Sequence, residues 1–143
     1  MALAAISQRE RSTSEIVHWL AEHDYDPDQI EAAICGLIES GHLDDERFAR
    51  LYAEDKRELA GWGPERIAAA LRERGVDGSL IELVCTDDRE AQISRAAGLL
   101  GRRGAPLADD HDRNRALGFL SRRGYGDEVA YDAIRAARSD QAA

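Results

Sequence analysis

Clustered carboxylates are the first candidates for chemistry in this 143-residue sequence. Asp44-Asp45-Glu46 and Asp109-Asp110-His111-Asp112 supply oxygen donors of the kind that hold a metal or move a proton. The first run opens a helical pattern. Negative charge there meets the positive end of the helix dipole and its free N–H groups, so capping accounts for it. The second run is expected in a loop before a helix, and no matching ligand spacing occurs elsewhere in the chain. His18 and His23 are five residues apart and do not share a helix face. Cys35 and Cys85 lie beside Ile, Leu or Val and read as reduced core thiols, which fits a cytosolic protein. There is no Ser/His/Asp arrangement, phosphate-cradling glycine loop or Cys-x-x-Cys. No catalytic residue, metal ligand set or cofactor is therefore expected.

Arginine is the other chemistry-bearing residue type. Arg66, Arg72, Arg74, Arg102, Arg103, Arg113, Arg115, Arg122 and Arg123 form a discontinuous basic set. The planar guanidinium donates two hydrogen bonds to a phosphate or carboxylate, so these side chains are candidates for partner binding. The plainer alternative is a solvated face with i,i+4 partners. Net charge is −9, which argues against simple sequence-independent DNA binding. The charge is uneven: residues 1–62 hold 6 basic and 14 acidic side chains, residues 63–143 hold 13 and 14, and the stretch 113–138 is locally +3.

Helices must position these groups. Ala, Leu, Arg and Glu dominate, and only three prolines occur. Ser12-Thr13-Ser14-Glu15 has the capping-box spacing, opening a helix over about 13–23 that buries Ile16, Trp19 and Leu20. Asp26-Pro27 opens the next, with Ile30, Ile34, Leu37 and Ile38 inward and Gly41 as its stop. Asp44 caps a third helix, with Leu43 and Phe48 at staple spacing and a stripe of Phe48, Leu51, Tyr52 and Leu59. Gly61-Trp62-Gly63-Pro64 breaks the chain. Further helices begin at Pro64, Asp77 and Asp87, followed by a loop over 104–111 and two last helices near 113–123 and 127–138. No apolar run reaches the ~18–20 residues that span a bilayer, and the first residues do not form a signal peptide.

The pattern repeats. Ile16, Leu20, Tyr25, Ile30 and Ile34 fall on Ile67, Leu71, Val76, Ile81 and Cys85 at a shift of 51. A further 49 residues reach Ala116, Leu120, Tyr125, Ala130 and Ile134. Each unit reads as helix, turn, helix, turn, longer helix, and the third lacks its last helix. The expected fold is all-α: tandem three-helix repeats over 1–62, 63–111 and 112–143, stacked in an elongated, curved array. Trp62, held between two glycines, is able to stack on a base or a partner; the expectation is packing between two repeats, with Gly-Trp-Gly-Pro setting their angle.

One segment carries a more specific signal. Gly41-His42-Leu43-Asp44-Asp45-Glu46-Arg47-Phe48-Ala49, then Tyr52, then Gly61-Trp62-Gly63-Pro64-x-Arg66-Ile67-x-x-x-Leu71-x-x-x-Gly75-Val76 resembles the signature of the RecX family. That signature runs Gly-x-Leu/Ile-Asp-Asp-x-Arg-Phe-Ala, then Gly-x-Gly-Pro-x-Arg-Ile-x-x-x-Leu-x-x-Lys/Arg-Gly-Ile/Val. The resemblance implies three three-helix repeats and a non-enzymatic, monomeric, cytoplasmic protein that binds the RecA nucleoprotein filament. It implies inhibition of ATP hydrolysis and strand exchange in recombination and DNA repair, with single-stranded DNA as a second contact. Between Tyr52 and the glycine turn the family often has several basic residues, whereas residues 53–60 hold only Lys56 and Arg57. That departure weighs against direct DNA binding more than against filament binding. The residues alone also fit a helical-repeat adaptor for another protein, or a weak single-stranded nucleic-acid binder.

Overall fold

A computed structural model describes residues 11–142, and these form eight α-helices with no strand among them. They are α1 (Thr13–Glu22), α2 (Pro27–Glu39), α3 (Asp45–Glu58), α4 (Pro64–Glu73), α5 (Gly78–Cys85), α6 (Arg89–Arg103), α7 (Asp110–Arg122) and α8 (Asp127–Ala142). The starts follow the local chemistry. Ser12 and Glu15 form a reciprocal capping box on α1, and Asp26 and Gln29 form one on α2. Asp44 accepts the Arg47 N–H at 3.1 Å at the start of α3.

The three-helix period is visible in the backbone. Leu20, Leu71 and Leu120 lie in the last turn of corresponding helices, and their carbonyls accept the N–H of Tyr25, Val76 and Tyr125 at 3.2, 3.1 and 3.1 Å. The residue before each donor is left-handed: Asp24 at φ 66°, Gly75 at 77° and Gly124 at 97°. This is a Schellman stop, in which the N–H two residues beyond the cap closes on the carbonyl five residues back. Leu20, Leu71 and Leu120 are all buried, as are Ile16, Ile67 and Ala116 one turn earlier.

The chain divides into two compact units, and the division falls inside α3 and α4 and before the last residue of α5. The first takes the residues up to Tyr52 together with Ala70–Val84; the second takes Ala53–Ala69 together with Cys85 onward. In the first, Ile16, Leu20, Leu37 and Leu43 form a core against Trp19, Tyr25, Ile30, Ala33 and Ile34. In the second, α6 and α7 pack on α8. Its core includes Leu100, Leu120, Tyr125, Ala130 and Ile134. Arg89 of α6 also pairs with Glu128 at 3.1 Å and Asp132 at 2.6 Å on α8. The Arg89 guanidinium holds the Asp132 carboxyl below its ordinary range.

Several expectations need correction. Ile38, Leu51 and Leu59 are 52, 43 and 84% exposed. On α3 the inward face is Phe48, Ala49 and Ala53, an i, i+1, i+5 set that leaves Leu51 to one side, and Leu59 lies past the last helical residue. Cys35 is exposed, because the inward face of α2 runs Ile30, Ala33, Ile34, Leu37 and passes it by. Cys85 is half-buried, and neither cysteine is in a disulfide. The segment Asp109–Asp112 is no loop: Asp109 caps α7, and Asp110 and Asp112 sit in its first turn. Negative side chains there satisfy the free N–H groups.

Candidate partner-binding surface

The signature residues build joints. In the first unit, Asp45 Oδ1 accepts both the N–H of Thr13 at 2.7 Å and its hydroxyl at 3.0 Å, so a carboxylate of α3 caps the start of α1. Ser12 at that same helix start donates its hydroxyl to the carbonyl of Arg74 at 2.5 Å. The Arg74 guanidinium grips Glu15 through Nε at 3.1 Å and Nη2 at 2.8 Å. It also lies over the rings of Phe48 and Tyr52, 4.5 and 5.6 Å from their centroids. A Cβ on Gly75 would run into the Ser14 side chain. Arg47 donates to the Gly41 carbonyl at 3.3 Å. The turn of one repeat is thereby seated on the first helix of the preceding one.

The second unit repeats the device. The Gly63 N–H donates to the Arg123 carbonyl at 2.7 Å, and the Glu65 N–H to the Gly124 carbonyl at 3.0 Å. Gly63 corresponds to Ser12, and Arg123 to Arg74, at the repeat spacing. Pro64 begins α4, where its missing N–H costs nothing. Arg123 donates to the Ala60 carbonyl at 2.8 Å, and the Tyr125 hydroxyl donates to the Gly61 carbonyl at 3.0 Å. Burial pushes the Tyr125 hydroxyl above its ordinary pKa. Trp62 is half-buried, with Lys56 and Arg66 over its ring at 4.8 and 4.2 Å. Arg66 also donates to the Arg122 carbonyl at 3.3 Å.

The nine candidate arginines therefore divide. Arg74 and Arg123 are half-buried and hold turns in place, Arg66 is shared between Trp62 and a carbonyl, and Arg113 pairs with Asp110 of its own helix. Arg72, Arg102, Arg103, Arg115 and Arg122 are exposed, and among the described residues none of them pairs with a carboxylate. Arg72 belongs to the first unit and the other four to the second. Arg103, Arg115 and Arg122 line one surface cavity of about 300 Å³, with Asp112, Asn114 and Phe119. Arg103 and Arg123 lie over the Phe119 ring at 4.4 and 5.1 Å. Asn114 and Phe119 were not among the sequence candidates. The signal for Phe119 was its place at i+4 from Arg115 and i−4 from Arg123 on one helix face. Among the described residues no group of three or more His, Cys, Asp and Glu converges as a metal site, and no helix is long and apolar enough to cross a membrane.

Helices in a three-element period, with the same left-handed stop after the first helix of each period, define an all-α three-helix-repeat protein. The family model described as "RecX, second three-helix domain" matches residues 44–84, which span α3–α5. The chain is 35% identical to the regulatory protein RecX of Halorhodospira halophila over 98% of its own length and 88% of that protein's. It is also 35% identical to the regulatory protein RecX of Mycolicibacterium vanbaalenii, over 95% and 79%. The crystal structure of RecX from Lactobacillus salivarius superposes with a TM-score of 0.86 at 20% identity, covering 96% of this chain and 92% of that one. A second crystal structure, of regulatory protein RecX, gives 0.77 at 26%, covering 93% and 67%. The chain belongs to the RecX family of regulatory proteins. The matched segment starts a repeat on the long helix α3, whereas boundaries at 63 and 112 start it one helix later, because a tandem period has no intrinsic first element.

Proposed function

We propose that this protein modulates the RecA recombinase. It docks along or caps a RecA filament on single-stranded DNA and restrains ATP hydrolysis and strand exchange, with no catalysis of its own. The observation that supports this reading is the relationship, over nearly the whole chain, to proteins named regulatory protein RecX. Restraint follows from bridging: a repeat protein that touches neighbouring subunits opposes their ATP-coupled movement. The exposed, carboxylate-free arginines Arg72, Arg102, Arg103, Arg115 and Arg122 are the side chains offered to the acidic or DNA-bearing groove of the filament. Their long-range attraction works against a net charge of −9, so bare single-stranded DNA is the weaker partner in this reading.

The test is RecA-catalysed, DNA-dependent ATP hydrolysis while this protein is titrated in, with RecA from the same source. Inhibition far below one molecule per RecA supports capping, and inhibition only near equivalence supports groove occupancy. No effect from a protein with intact helical circular dichroism would overturn the reading.

A further inference from the structure

The cavity between the end of α6 and the outer face of α7 has features that the signature residues do not explain. Three arginines, Arg103, Arg115 and Arg122, line about 300 Å³ of open space. Asp112, the carboxylate that also lines it, accepts the Ala108 N–H at 3.3 Å and is committed to the local turn. Arg115 and Arg122 are exposed and lack a carboxylate partner among the described residues. Concentrating cations in one concavity is unfavourable on its own, and an anion relieves it. Ala105 and Pro106 add an apolar wall beside them.

We infer that this cavity is a binding pocket for an acidic peptide segment of a protein partner, with Arg115 and Arg122 forking onto its carboxylates. Three observations favour a peptide over a nucleic acid. The Phe119 ring is already engaged by Arg103 and Arg123, so it is not free as a stacking platform for a base. The apolar wall suits an aliphatic side chain next to the acidic ones. The cavity is of a size for a few side chains rather than for a tracked backbone. Asn114 adds an exposed amide at the rim, able to donate to a peptide carbonyl. This goes beyond filament regulation, since it specifies the chemistry of one contact whatever protein carries it.

The experiment uses the full chain and two fluorescein-labelled probes of equal charge: a short peptide of Asp and Glu around a central leucine, and an oligothymidylate. Fluorescence anisotropy at moderate salt should show the peptide binding more tightly. Arg115→Glu and Arg122→Glu should each weaken it by roughly tenfold or more. Arg115→Lys should recover only part of the loss, because the ammonium lacks the fork. Arg50→Glu, an exposed arginine of the other unit, serves as the charge control and should leave binding unchanged. Circular dichroism confirms that each variant is folded. Tighter binding of the oligothymidylate, no peptide binding, or an equal loss from Arg50→Glu would overturn the proposal. Peptide binding that keeps its dependence on Arg115, in a protein without effect on RecA, would overturn the filament reading and leave the pocket standing.

Discussion

Gly63 and Gly124 meet backbone to backbone. A Cβ on Gly63 would stand 2.5 Å from the Gly124 carbonyl oxygen, and one on Gly124 would collide with the backbone of Arg66. The same approach brings the Gly63 N–H to 2.7 Å from the Arg123 carbonyl. Gly124 is in addition left-handed at φ 97°. Neither obstruction is the tip of a flexible side chain, so the joint has to open to admit a methyl group. Gly63→Ala and Gly124→Ala are each expected to cost about 2–4 kcal/mol. Gly36, inside α2 with nothing within 4 Å of its added Cβ, is the opposite case. Gly36→Ala should stabilise by about 0.5–1 kcal/mol. Urea unfolding followed by circular dichroism measures all three, and an unchanged midpoint for Gly63→Ala would disprove the close approach.

Arg74 makes the corresponding joint in the first unit by side-chain chemistry. It holds Glu15 with two nitrogens while lying over Phe48 and Tyr52. The pair is about one-quarter exposed, so screening discounts its Coulomb energy but spares the fork geometry and the ring contacts. Arg74→Ala should lower stability by about 1–3 kcal/mol. Arg74→Lys should recover less than half, since an ammonium neither forks onto Glu15 nor stacks on the rings in the same way. Full rescue by lysine in thermal unfolding would show that charge alone was at work.

The fold was largely legible in the sequence because its start and stop signals are local. Ser12 with Glu15, Asp26 with Gln29 and the glycines at 75 and 124 each act within one turn of the chain, and the repeat multiplied the signal. Exposure was less legible. Ile38 and Leu51 are hydrophobic residues at helical spacing, yet which neighbour covers a stripe is a tertiary fact that one strand of letters does not contain. The arginines were legible as a set but not individually. Nothing local separates Arg122 from Arg123, because the carbonyl that Arg123 reaches belongs to Ala60, far off in the sequence. The role of Asp45 was half visible: it sits in the first turn of α3 as expected, while its bond to Thr13 joins two helices.

Tyr125 adds a pH-dependent element to the second joint. It is 1% exposed, its hydroxyl donates to the Gly61 carbonyl, and burial raises its pKa above the ordinary value. A raised native pKa means that the unfolded chain loses its proton first. The stability it contributes is therefore complete below about pH 10, the unfolded value, and declines as pH rises above it. Tyr125→Phe should cost about 0.5–1.5 kcal/mol at neutral pH from the lost hydrogen bond. The variant should also lose stability less steeply than the parent between about pH 9 and 11. Parallel slopes in thermal unfolding across that range would show that the hydroxyl is not protected by burial.

Arg122 and Arg123 are adjacent in sequence and opposite in role, which makes them the sharpest comparison available. Arg123 is half-buried, donates to the Ala60 carbonyl and lies over Phe119. Arg122 is exposed at the cavity, without a carboxylate partner among the described residues. Reversing charge at Arg123 places a carboxylate against a carbonyl oxygen and removes a cation from the ring. Arg123→Glu should lower stability by about 2–3 kcal/mol, and on the proposed reading any loss of RecA inhibition should track its unfolded fraction. Arg122→Glu should unfold within about 0.5 kcal/mol of the parent, as surface changes generally do. On the proposed reading, inhibition of RecA hydrolysis should nevertheless weaken in this variant, with a shallower salt dependence. A double reversal of both would hide this distinction, because loss of fold and loss of contact give the same flat titration. If Arg122→Glu is as unstable as Arg123→Glu, its side chain serves the joint and the cavity loses one of its three cations.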